Sequence, residues 1–369
     1  MVAAGPRWRQ PFDTRRCEID AEACWAILRS RVLFLREGGG VSRWFRILFV
    51  GLALAVPVAA GAETLRASHQ FPGDGIDFRD VAMRMVAREV AQARIGLDVK
   101  VYPAAQLMRP RAQWSAMGKG QLDLSVMPFH YGGLKQPALQ LTFMPGIALS
   151  HAHAARLNDS VFLRRLQDQA EADGVVVLAD LWVAGGLVSR GECVVEPEDL
   201  RGRTIRASNR HYERMATEMG AAVAEMAPAE IAGALAAGLI DVSTAASDTM
   251  VQLKLHEQAQ CLTAPGDHPL LMIYEPIVIA RSSFEQLSQT QRRVLQKVAD
   301  KIEAWAAEAS RAADRAMVET FERRGVRVVT LTAEQAKRWR RLAIDTALAD
   351  FRDAYPATGP LIDLALQVE

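Results

Sequence analysis

The chain has 369 residues, with 44 Lys and Arg against 43 Asp and Glu and a formal net charge of +1. That balance argues against a partner recognised through a phosphate backbone. The four cysteines show no CxxC spacing and the seven histidines no HExxH, so a metal site has no warrant and no cofactor is expected.

The N-terminal part reads as a targeting segment. Val41-Ser-Arg-Trp-Phe-Arg46 is basic, residues 47–59 are apolar apart from Gly51 and Pro57, and Ala60-Gly-Ala62 is a small-residue cleavage site. The order is that of a signal peptide over 41–62, and the apolar run is short for a membrane span. Residues 1–40 read as a gene-start extension; an uncleaved anchor with a cytoplasmic tail is the alternative. The part through Ala62 carries nine basic and five acidic residues, so the remaining 307 residues hold 35 and 38, a net −3. That length suggests two domains of about 150 residues each. Cys193 and Cys261 remain; a disulfide between them is one reading, and two isolated buried thiols the favoured one.

Strand and helix signals then alternate. Residues 64–68 form a short strand ending at His69-Gln-Phe-Pro-Gly-Asp74. Phe78, Val81, Ala82, Met85, Val86, Val90 and Ala93 recur at helical spacing, and Gly96 stops the helix. Residues 97–102 alternate as a half-buried strand. A helix over 110–118 and a strand over 122–127 follow. Residues 175–182 are mostly apolar and read as one strand buried on both faces. Residues 204–207 form a strand carrying Arg206; Ser208 or Asn209 caps the next helix, and Gly220 ends it. A helix opened by Pro228 and closed by Gly238 and strands over 240–244 and 272–280 come next. Ser288-Gln-Thr-Gln291 is a capping-box pattern, and nothing breaks the helix from there to Gly325. A strand over 326–331 precedes another long helix from Thr332-Ala-Glu-Gln335. Strands separated by helices imply parallel βαβ units, and so long a helix is expected to run across both lobes.

Several of these segments resemble a known family. Tyr102-Pro-Ala-Ala-Gln-Leu107 followed by Lys119-Gly-Gln-Leu-Asp-Leu124 looks like the first lobe of the periplasmic solute-binding proteins of TRAP transporters. Pro197-Glu-Asp-Leu-Arg-Gly-Arg-Thr-Ile-Arg206, Met219-Gly-Ala221, Met226-Ala-Pro-Ala-Glu230 and Ala234-Leu-Ala-Ala-Gly-Leu-Ile-Asp241 resemble its second lobe, and the ordered set covers residues 63–369. The resemblance implies an α/β, two-lobed periplasmic binding protein fold with crossing segments and a long connecting helix. Lobe I would take 63–183 and 272–311, and lobe II 184–271 and 312–369. It also implies a periplasmic protein that is no enzyme, closes over a small organic acid and delivers it to the transporter's membrane subunits. The family's ligand-clamping arginine falls on Arg206. Three places depart from the pattern: Arg206-Ala-Ser, Gly185-Gly186-Leu187 where a second arginine is common, and Ser243-Thr-Ala-Ala-Ser247. Recognition beyond the carboxylate must therefore differ.

The residues themselves support one reading of this kind. An arginine at a strand's carboxyl end can grip a carboxylate with a planar two-donor fork, at the edge where open α/β sheets bind ligands. The bland alternative pairs Arg206 with Glu198 or Asp199. Asn209 is a helix cap that can also face a ligand. His69 and Gln70, at the end of the first strand, face the same crevice in this fold. Phe129, after Met127 and Pro128, and Trp182 either cover a ligand or pack the core. Thr244, Ser247 and Tyr274 are candidate hydroxyl donors. His151 and His153 start a helix, which disperses them. No nucleic-acid partner and no GxSxG elbow are visible. A secreted two-lobed enzyme and a ligand sensor for a membrane receptor kinase are the competing readings.

Overall fold

The structure is a computed structural model that describes residues 63–368; the segments read as a signal peptide and an extension before it lie outside the described residues. Among the described residues, twelve strands run in chain order: β1 (Glu63–Ser68), β2 (Leu97–Tyr102), β3 (Leu124–Val126), β4 (Val175–Ala179), β5 (Trp182–Ser189), β6 (Thr204–Arg206), β7 (Ala222–Val223), β8 (Val242–Ala246), β9 (Cys261–Ala264), β10 (Leu271–Tyr274), β11 (Ile277–Ala280) and β12 (Arg327–Thr330). They build two sheets, one ordered β2-β1-β3-β11-β4 and one ordered β12-β9-β5-β8-β6-β7 with β10 on β5. Helices separate most of the strands, which gives the α/β, two-lobed fold.

The first sheet starts as expected. β1 and β2 are parallel from Glu63↔Leu97 to Ser68↔Tyr102. Between them runs the Phe78–Gln92 helix, whose N-cap Asp77 accepts from the Arg79 amide. Phe78, Ala82, Val86 and Val90 form its buried stripe.

Two segments that read as single strands are each two. The run over 175–182 is β4 and then β5, in different sheets, broken at Asp180-Leu181. The run over 272–280 is β10 and then β11, broken at Glu275-Pro276. Trp182 thus opens β5 instead of ending a strand. The breaks were hidden because β5 and β11 are buried at every position, leaving an apolar run with no period to interrupt. β10 pairs antiparallel with β5 from Leu271↔Gly185 to Tyr274↔Trp182, which places it in the second sheet. The two crossings lie side by side, joined by Glu275 N donating to Leu181 O (2.8 Å).

The helix Gln289–Arg323 has 35 residues and the expected capping box between Ser288 and Gln291. At 1.5 Å per residue it spans about 52 Å. Leu295, Val298, Ala299, Ile302 and Ala306 pack into the core that holds Leu65, Leu124 and Ile279 of the first sheet. Met317 and Phe321 pack with Val188, Ala245 and Leu262 of the second. One helix therefore fastens both lobes.

Cys193 and Cys261 form a disulfide, with Cα atoms 5.2 Å apart, and the reading of two isolated thiols is corrected. The cause is sheet register. β5 meets β9 at Ser189↔Cys261, so the chain just past Ser189 lies beside Cys261. A 68-residue separation in sequence gave no sign of this.

Candidate functional site

Arg206 ends β6, with its backbone paired to Ser243 of β8. It is half-buried, and one guanidinium nitrogen, Nη1, donates to Thr244 O (3.2 Å). Its Nε is covered by protein and has no partner. The surface pairing is absent: Glu198 binds Arg338 (2.7 Å), and Asp199 accepts from the Val195 and Glu196 amides. Burial lowers the Arg206 pKa, against a weaker opposing pull from Glu213. A half-buried guanidinium with one carbonyl bond and no carboxylate on it has lost hydration that is only partly compensated.

Asn209 caps the Arg210–Glu218 helix, accepting from the His211 and Tyr212 amides at 2.9 and 3.1 Å. Its Nδ2 donates to Phe143 O (2.9 Å), which ties this turn to the first lobe. A second tie runs between His211 Nε2 and Gln140 Oε1 (3.2 Å). Burial, with Arg210 nearby, lowers the His211 pKa to about 4, so that link is made by a neutral ring.

Between these ties lies a cavity of about 910 Å³. One wall is Arg206, Ser208, Asn209, Arg210 and His211; the facing wall is Arg111, His130, Gly133, Gln140 and Phe143. Arg111, Arg206 and Arg210 make no ion pair among the described residues. A cavity of about 740 Å³ beside the connecting helix differs. There His151 binds Asp314 (2.7 Å), and Arg311 and Arg315 bind Glu308 at 3.1 and 2.6 Å. The histidine and both arginines there are held by carboxylates; the three arginines of the larger cavity are not, although Glu213 and Glu225 also line it.

Thr244 stands behind Arg206: its carbonyl receives Arg206 Nη1, and its hydroxyl shares a hydrogen bond with Ser208 Oγ (2.7 Å). Gln70 accepts from Tyr131 Oη (2.7 Å) and so braces the His130 wall. His69 is fully buried, with Nε2 on Asp80 Oδ1 (3.1 Å). Ser247 Oγ donates to Asp314 Oδ1 (2.5 Å) and lies 3.2 Å from Ala184 O. Phe129, Trp182 and Tyr274 are core residues: Tyr274 is edge-on to Phe129 (5.1 Å) and tilted against Trp182 (4.9 Å). Tyr274 Oη bonds Asp180, and Trp182 Nε1 donates to Asn158 Oδ1 (2.8 Å). Of the nine candidates, only Arg206 and Asn209 line the 910 Å³ cavity. His69, Phe129, Trp182, Ser247 and Tyr274 lie outside that lining, and each makes its polar or apolar contacts inside the protein.

Gly185 and Gly186 explain the missing second arginine. A Cβ at Gly185 would stand 2.1 Å from Ala245 O, and one at Gly186 2.0 Å from Thr263 O. β5 is pressed between its neighbours there, and Leu187 is 3% exposed. No long charged side chain fits.

Arg111, His130, Gln140 and His211 were not found from sequence. His130 and Gln140 sit in the 3₁₀ segments Phe129–Leu134 and Pro137–Phe143, which carry no strand or helix period.

The family profile "Bacterial extracellular solute-binding protein, family 7" matches residues 81–351. A curated "Solute-binding protein" of Albidiferax ferrireducens is 33% identical over 312 residues, covering 84% of this chain and 92% of that protein. A solved TRAP periplasmic solute-binding protein from Rhodoferax ferrireducens, with bound malonate, is 33% identical. Its TM-score is 0.77, covering 82% of this chain and 98% of that one. A second, from Chromohalobacter salexigens with bound D-glucuronate, has a TM-score of 0.74 at 21% identity, covers 83% of this chain and 100% of that one, and supports the fold alone.

Proposed function

Because the chain belongs to the bacterial extracellular solute-binding proteins of family 7, the TRAP-type solute-binding proteins, we propose that Arg206 clamps the carboxylate of a small organic acid in the 910 Å³ cavity. The observation that carries this reading is a half-buried guanidinium with no carboxylate partner, facing the opposite lobe across the cavity. A bidentate carboxylate supplies the missing charge and hydrogen bonds. The malonate-bound relative supports an acidic ligand.

Lobe closure around the two crossings does the mechanical work: a ligand that touches both walls favours the closed form by its differential affinity. The ligand leaves unchanged, passed to the membrane subunits of a TRAP-type transporter. Family membership supports an extracytoplasmic site of action, and the Cys193–Cys261 disulfide suits an oxidising compartment such as the periplasm. No helix among the described residues is long and apolar enough to cross a membrane.

Small-angle scattering with and without malonate tests the reading. A reduced radius of gyration, with malonate recovered intact after prolonged incubation, is the expected result. Turnover of the acid, or binding with no change of shape, would defeat it.

A further inference from the structure

We propose that His130 is a specificity-determining residue, hydrogen-bonding a second oxygen function of the bound acid while Arg206 holds its carboxylate. This rests on the carboxylate reading of the same cavity.

The position is built before any ligand arrives. Phe129 is fully buried, edge-on to Trp114 (5.4 Å) and Tyr274 (5.1 Å), which fixes the backbone entering residue 130. The imidazole is then gripped by the edge of Tyr131 (5.0 Å) and by the Phe143 ring at 4.8 Å and 31°. Gln70 holds Tyr131 in turn. A ring so confined keeps one orientation at the cavity wall.

No protein group answers its nitrogens. The His130 side chain makes no hydrogen bond among the described residues; its Nδ1 is covered by protein, which leaves Nε2 as the nitrogen open to the cavity. His211, on the facing wall, is paired with Gln140. Arg206 from the second lobe and His130 from the first thus line one cavity, each with a side-chain nitrogen, Nη2 and Nε2, that no described protein group takes. A ligand that satisfies both joins the lobes.

The chemistry follows from charge. Burial first, then Arg111 and His211, lowers the His130 pKa to about 3, so the ring meets the ligand neutral. It therefore sorts acids by hydrogen-bonding capacity: a hydroxyl, carbonyl or second carboxylate is accepted, and a methyl there leaves the imidazole unpaired. Sites that hydrogen-bond one substrate group reject analogues lacking it far better than apolar pockets sort by size.

The test is calorimetric titration of wild type, His130→Phe and His130→Gln with acid pairs differing in one oxygen function: malonate against propionate, and 4-hydroxybutyrate against butyrate. Wild type should favour the oxygenated member of a pair by about 10- to 100-fold. His130→Phe should erase that ratio while changing the plain acid by less than about three-fold, and His130→Gln should restore part of it. An unchanged ratio in His130→Phe, or equal losses for both members, overturns the assignment and leaves the carboxylate reading standing. Wild type that binds none of the four acids overturns both.

Discussion

Arg79 and Arg206 are both withdrawn from water, in opposite surroundings. Arg79, 2% exposed, donates to both oxygens of Asp77 (2.8 and 2.6 Å) and to Glu275 (2.7 Å). Removing it would strand two buried carboxylates, a change that costs about 3–5 kcal/mol. Arg206 has no such partner, so Arg206→Ala should leave the unliganded melting temperature unchanged or raise it. Malonate affinity should instead fall about 100-fold or more, since each charged hydrogen bond is worth roughly 1.5–3 kcal/mol. Arg206→Lys should do nearly the same damage, because lysine keeps charge and loses the planar fork. Calorimetry on both variants decides, and wild-type affinity in Arg206→Ala would remove Arg206 from the site. Arg206 and Asn209 were legible because a strand end and a helix cap carry local signals. His130 and Arg111 were not, since their setting is made by two lobes coming together, and no local pattern encodes that.

At the scale of elements, caps and breakers reported faithfully while continuous apolar runs did not. The Ser288 and Thr332 capping boxes both form where the S/T-x-x-Q pattern placed them. The lengths hidden in 175–182 and 272–280 were misread, because a strand buried on both faces has the same composition on either side of a crossing. The disulfide is the clearest contribution that spacing could not disclose. It closes a loop of 68 residues across β5 and β9, and the chain-entropy account assigns such a loop about 4 kcal/mol. Denaturant unfolding of the Cys193→Ser/Cys261→Ser protein should show a loss of that order, with a midpoint insensitive to reductant. A wild-type midpoint that ignores reductant as well would remove the stabilising role.

The whole molecule should be most stable near neutral pH, for opposing reasons on either side. Burial pushes the Asp180 and Asp248 carboxyls up to about 7 from an ordinary 3.8. The folded state then binds protons that the unfolded state releases, so stability rises as pH falls through 7. Burial also lowers His69, His130, His153 and His211 below an ordinary 6.5. The unfolded state binds those protons first, and stability falls as pH drops below 6.5. Scanning calorimetry from pH 5 to 8.5 should show a maximum melting temperature between about 6 and 7. A monotonic rise to pH 8.5 would mean that the two aspartates are ordinary in the folded protein.

β11 lies between β3 and β4 in the first sheet, although it is the last of that sheet's strands in the sequence. Ile277 pairs with Val126 on one side and Ala179 on the other. A chain emerging from its N-terminus therefore holds an open gap in its first sheet until Ala280 has been made. Long-range pairing of this kind is slow, because loop closure must precede the contacts that reward it. A nascent chain shorter than about 280 residues therefore cannot complete the pairing of its first sheet, whatever its other strands have done.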